Sequence, residues 1–211
     1  MLNSIEEINN YPAVILMYPS GASGEFIAQA LSDSVDSFAK TPSHWENNSR
    51  VIYSDFLGRS LNSGDLVIDL DKVISRANWF LELSTPGIAI ILAHSEAVTK
   101  NFIPKYLPNL PVVEIVVHRP KSKLFRKLAA NAKIPRLNKK YDYDSDPAES
   151  SYHATKHIRI EWEDIILTNP QLEFKKITEF LNIIGDPNNF VQSVVGYCQR
   201  NQEIINLLNN A

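Results

Sequence analysis

Unbroken apolar runs alternate along the chain with stretches in which apolar residues recur every three or four positions. Residues 13–17 (AVILM), 87–93 (GIAIILA) and 112–117 (VVEIVV) are of the first kind. They are short and rich in branched side chains, as strands buried on both faces are. Residues 157–161 (HIRIE) alternate apolar and polar, the pattern of a strand with one buried face. The helical spacing recurs at Phe26, Ile27, Ala30 and Leu31, and at Val73, Ile74, Ala77, Phe80 and Leu81 within residues 70–83. Further helices are expected over 96–106, where Pro104 would cut or kink the helix, from Pro120 to about 132, over 171–182 and over 190–209. Residues 36–65 are poorly patterned, with one short strand expected at 51–53. Residues 136–153 are polar and carry little apolar content, which marks a mobile loop or lid.

Strands alternating with helices predict a three-layer α/β/α architecture around a mostly parallel sheet of about four to five strands. Ligands in such sheets bind beyond the carboxyl ends of the strands. Residues 18–24, His94 and residues 118–120 each follow a predicted strand directly. Three candidate polar sites therefore converge on one edge of the sheet.

Composition narrows the classes. The chain has 211 residues, 44% hydrophobic and 21% charged, which suits one globular domain over 1–211. A net charge of -3 gives the whole chain no attraction for polyanions. The single cysteine, Cys198, rules out an intrachain disulfide and points to a reducing, cytoplasmic setting. The N-terminal MLNSIEEINNYP lacks the basic region and apolar core of a signal peptide, and the apolar runs are too short to span a bilayer. No membrane association is expected.

The chemistry-bearing residues cluster in four places. In the first, YPSGASGEF (residues 18–26), Gly21 and Gly24 allow close approach of backbone to a ligand, and Ser20 and Ser23 offer hydroxyls. The N–H groups that open the following helix favour an anion. Glu25 stands where a Walker loop would carry its lysine, and a carboxylate there is expected to point away from an anion. Taken alone, the loop is either an anion site or a plain strand-to-helix turn with a serine cap. The second is His94, at the end of its strand: a general base, or an ordinary capping residue. In the third, Arg119 and Arg126 fall after the 112–117 strand. They either grip a phosphate at the sheet edge or form a solvated basic face. They belong to a basic block, with nine Lys/Arg and no acid from Arg119 to Lys140. Phe125 is the only aromatic in the block, so a single-strand stacking platform is not indicated and a nucleic-acid partner is not expected. The fourth, His153 and His157, has i,i+4 spacing but lacks further ligands and calls for no metal.

The order of these features resembles that of the sulfotransferase family, enzymes of the P-loop nucleoside triphosphate hydrolase-like fold that take a sulfuryl group from 3′-phosphoadenosine 5′-phosphosulfate (PAPS). The family's YPKSGTTWL loop is matched by YPSGASGEFI, its KTHLP histidine stretch by ILAHSEAV, and its RNPKD strand end by VVHRPKSKLFRK. Its YEDLL…P…FLGI tail is matched by IRIEWEDIILTNPQLEFKKITEFLNI, residues 158–183. The matches keep their order from about residue 13 to 183. The chain departs from the family at the loop lysine, where Ser20 or Ala22 stands, and at the C-terminal Arg-Lys-Gly loop, which has no counterpart.

The resemblance implies a PAPS-dependent sulfotransferase acting on a hydroxyl of a small molecule or saccharide, without a metal. It implies His94 as the base. It implies that Ser20, Gly21, Ala22, Ser23, Gly24, Glu25 and Phe26 cradle the 5′-phosphosulfate through their backbone. His118, Arg119 and Arg126 would hold the 3′-phosphate. Glu163 and Asp164 read as structural, opening a short helix after a strand. The missing lysine leaves open a second reading: a non-catalytic or weakly active nucleotide or anion binder on the same fold. A small kinase is disfavoured by the absence of a Walker lysine.

Overall fold

A computed structural model describes residues 1–18, 24–40, 69–94, 97–117, 156–200 and 202. Four strands form one parallel sheet among these residues: β1 (Ala13–Tyr18), β2 (Ala89–His94), β3 (Val112–Val116) and β4 (His157–Glu161), in the order β2-β1-β3-β4. β1 lies in the interior, and all six of its residues are buried. Its unbroken apolar run follows from that position, since both faces are covered.

Alternation along the strands separates two cores. Val14, Leu16 and Tyr18 of β1, Ile90 and Leu92 of β2, Val113 and Ile115 of β3 and Ile160 of β4 pack on one face. That face is covered by α2 (Gly24–Ser34), by a π-helical segment (Asp164–Thr168), and by the last two helices, α5 (Pro170–Leu181) and α6 (Pro187–Arg200). Ala13, Ile15, Met17, Ala89, Ile91, Ala93 and Val112 face the other core. It is closed by α1 (Ile5–Asn9), α3 (Leu70–Leu83) and α4 (Ala97–Tyr106). The chain is thus an α/β/α sandwich with a parallel centre, as the alternation of strands and helices predicts.

Local chemistry sets the ends of these helices. Asp69 caps α3, accepting from the N–H groups of Asp71 and Lys72 at 3.1 and 3.2 Å. Asn169 caps α5, with Pro170 at its first position. Asn182 closes α5 in the left-handed conformation, with Ile183 N–H donating to Thr178 O at 3.0 Å. Asp186 opens α6, accepting from Asn188 N–H at 2.9 Å. The turn between α5 and α6 is held against the end of α2: Asp186 N–H donates to Ser34 O at 2.7 Å, and a Cβ on Gly185 would fall 2.6–2.8 Å from Phe174, Val35 and Ser34. Glycine is needed there for close approach.

Three details depart from the sequence reading. Pro104 does not cut α4, which runs on to Tyr106; Leu107 N–H still donates to Ile103 O at 2.8 Å. The helix expected over 190–209 begins three residues earlier, at Pro187, where Asp186 and the proline supply a start. The helix expected to open at Glu163 becomes the π-helical segment, with Asn169 N–H bonded five residues back to Asp164 O at 2.8 Å. The expected strand at 51–53, the helix from 120 to 132 and the loop over 136–153 lie outside the described residues.

Candidate functional site

Because all four strands are parallel, their carboxyl ends share one edge of the sheet. The register sets Tyr18, the last residue of β1, beside His94, the last residue of β2. The helices that follow these adjacent ends pack on opposite faces of the sheet. After β1 the chain enters α2, which packs in the core with Leu16 and Tyr18. After β2 it enters α4, whose Phe102 and Ile103 pack in the opposite core. β1 leads to β2 on one side of it and β3 leads to β4 on the other, so the strand order reverses between β1 and β3, and that reversal is the topological switch point where open α/β sheets bind ligands. The strand order therefore sets Tyr18 and His94 side by side at this edge. The end of β3 lies at the same edge on the other side of β1.

The start of α2 lies against the end of β1. Gly24, Glu25 and Phe26 are its first three residues, and Gly24 is buried. A Cβ on Gly24 would lie 2.2–2.4 Å from three ring carbons of Tyr18, so a side chain there is incompatible with the ring. Glu25 is exposed. Phe26 is engaged by its side chain elsewhere: its ring stacks on Tyr197 of α6, with centroids 4.2 Å apart and planes 19° from parallel. Its expected part in an anion site is therefore confined to its backbone N–H. The first N–H groups of any helix lack an intrahelical acceptor, and the macrodipole adds a partial positive charge. Tyr18 is 4% exposed. Burial, and to a lesser extent the Glu25 carboxylate, raise its phenol well above the ordinary range. It stays protonated at any physiological pH.

The other expected site residues stand as follows. His94 ends β2. Ser20, Gly21, Ala22, Ser23, His118, Arg119 and Arg126 lie outside the described residues, as does His153. No group of three or more His, Cys, Asp or Glu among the described residues is arranged to hold a metal.

One polar cluster escapes the sequence reading. Glu114, in the middle of β3, is 2% exposed. An ionised carboxylate only accepts, so His157 Nε2 and Arg159 Nε both donate to its Oε2, at 3.0 and 3.3 Å. The parallel register makes this possible by setting Glu114 beside Arg159 and His157 two residues earlier on the same face. The acid inside VVEIVV and the two basic positions of HIRIE were the available signal. The cluster sits within the sheet rather than at its carboxyl edge, and joins β3 to β4 instead of lining the switch point. The groove lined by Asn169, Leu172, Lys175, Thr178, Gly185 and Pro187 belongs to α5 and its turn into α6, and touches neither Tyr18 nor His94.

No protein-family profile matches the chain, and no characterised protein matches its sequence. Among solved structures it is similar to a sulfotransferase domain from the curacin biosynthetic pathway, at 13% identity and a TM-score of 0.42, over 87% of this chain and 78% of that one. It is similar also to an unliganded sugar kinase from Janibacter sp. HTCC2649, at 13% identity and a TM-score of 0.39, over 84% of this chain and 96% of that one. Likenesses this remote transfer no chemistry from one chain to another.

Proposed function

We propose that the chain binds the phosphosulfate end of PAPS at the carboxyl end of β1, between the ends of β2 and β3, and transfers its sulfuryl group to a hydroxyl of a small molecule or saccharide. The observation that carries this reading is the register pair Tyr18–His94, which ends two adjacent strands at one edge of the sheet, ahead of α2 and α4. That pair sets a candidate base at the strand end next to the one that leads into a candidate anion site. The ordered sequence resemblance supplies the donor class.

In the proposed reaction the acceptor hydroxyl gives its proton to His94. Its oxygen forms a bond to sulfur as the bond from sulfur to the phosphate oxygen breaks. A sulfate ester and 3′,5′-adenosine bisphosphate result. The N–H groups at the start of α2 hold the anionic donor in place, and positioning with electrostatic stabilisation supplies the catalysis. Arg119 and Arg126 are the proposed partners of the 3′-phosphate.

The loop composition favours a second reading. The stretch YPSGASGEF carries no lysine to offset charge on the leaving phosphate, so the site would bind nucleotide without appreciable turnover. Thermal shifts with 3′,5′-adenosine bisphosphate, ATP with Mg²⁺, GDP and sulfate test the donor class, since a ligand that binds only the native state raises its melting point. Stabilisation by the bisphosphate is expected. A response to ATP with Mg²⁺ alone would overturn the proposal. His94→Ala is expected to abolish turnover and spare bisphosphate binding; a variant that still turns over would remove His94 from the role of base.

A further inference from the structure

We infer that Tyr18 is a positioning residue for the anion site: its ring is the platform on which the first turn of α2 is laid, and Gly24 is the residue that lets the helix lie that close. The inference rests on reading the start of α2 as the anion site.

Three observations converge on it. A Cβ added at Gly24 would fall 2.2, 2.3 and 2.4 Å from Cδ1, Cγ and Cε1 of Tyr18. The contact runs along one side of the ring rather than to a flexible tip, so even a methyl group would have to push the helix off it. The ring itself has little room to retreat, being 4% exposed and packed in the same core as Leu16 and Ile27. The turn makes a second ring contact at Phe26, which stacks on Tyr197 of α6. The first turn of α2 is thus held by a ring from the sheet and by a ring from α6. Its N–H groups are set at a height fixed by the ring of Tyr18, the residue paired with His94 in the register.

An ordinary core tyrosine would affect stability alone. A platform affects where the helix start lies, and so the affinity for an anion. The variants Tyr18→Phe, Tyr18→Leu and Gly24→Ala separate these. Tyr18→Phe keeps the ring, Tyr18→Leu keeps an apolar core residue without it, and Gly24→Ala keeps every core side chain while lifting the helix. Affinity for 3′,5′-adenosine bisphosphate and for inorganic sulfate is measured by calorimetry, and hydrogen exchange at Ala28 and Gln29 is compared with exchange in β1. Tyr18→Phe is expected to match wild type in both. Tyr18→Leu and Gly24→Ala are expected to weaken both anions by about tenfold through lost preorganisation, with faster exchange confined to the start of α2. Wild-type affinity and wild-type protection in Gly24→Ala would overturn the inference even if Tyr18→Leu fails to fold. So would loss of protection spread evenly over β1 and α2. A wild-type protein that binds neither anion would defeat the functional proposal instead, and the exchange pattern would still decide whether the ring supports the helix.

Discussion

At the scale of single residues, two side chains separate burial from charge. Tyr18 is an acid whose neutral form the fold prefers, because burial and the Glu25 carboxylate both oppose the phenolate. A raised pKa in an acid of this kind means that the folded state keeps its proton where the unfolded state has lost it. Its contribution is present in full below the ordinary phenol value of about 10 and is lost as pH rises above it. Urea midpoints should therefore fall between about pH 8 and about pH 11, and Tyr18→Phe should fall less; equal falls would show that Tyr18 does not govern alkaline stability. Glu114 is a buried acid with two side-chain partners. The carboxylate is 2% exposed, whereas Arg159 keeps about 40% of its side-chain surface. Removing the acid leaves an arginine that water can reach. Removing both donors strips a carboxyl group that water cannot reach. The double variant His157→Leu/Arg159→Met should cost about 3 kcal/mol or more, and Glu114→Gln less, in urea unfolding. The reverse order would contradict the burial argument.

At the scale of elements, the sequence was readable where one period dominated. β1 announces itself as an apolar run because it is interior and covered on both faces. α3 is legible because Val73, Ala77 and Phe80 form one buried stripe. α1 was missed because five residues make too little periodicity; its signal was the spacing of Ser4 and Glu7, whose N–H donates to Ser4 Oγ at 3.2 Å. The π-helical segment was out of reach because its extra residue per turn depends on tertiary packing, with Trp162, Ile165 and Ile166 all buried. Pro104 misled because proline propensity is a local rule, while Phe102 and Ile103 are buried and anchor α4 to the core. Asn182 carries a testable consequence. It holds φ 54° at the end of α5, a conformation asparagine tolerates and branched residues do not. Asn182→Val should lower stability by about 1–2 kcal/mol, and Asn182→Gly should not. Equal stability of the two in denaturant would show that the turn relaxes.

At the scale of the whole molecule, the placement of the site follows from topology more than from any motif. The sequence showed polar residues after strands, and parallel pairing sends those strand ends to one edge. It did not show that β2 lies on one side of β1 and β3 with β4 on the other, so that the order reverses between β1 and β3. That order creates the switch point, and strand order is a long-range property that periodicity does not carry. The Glu114 cluster was hidden for the same reason, since it exists only when β3 and β4 are in register. The described residues include no helix long and apolar enough to cross a membrane. The central claim is that a phosphorylated, anionic ligand binds where β1 and β2 end. Titrating 3′,5′-adenosine bisphosphate into isotope-labelled protein and following the backbone amides tests it most directly. The account predicts that the amides of Gly24, Glu25, Phe26 and His94 shift together and saturably, while those of Leu172, Lys175 and Thr178 along α5 stay fixed. Saturable shifts along α5 with the β1/β2 edge unmoved, or no saturable shift at all, would contradict it.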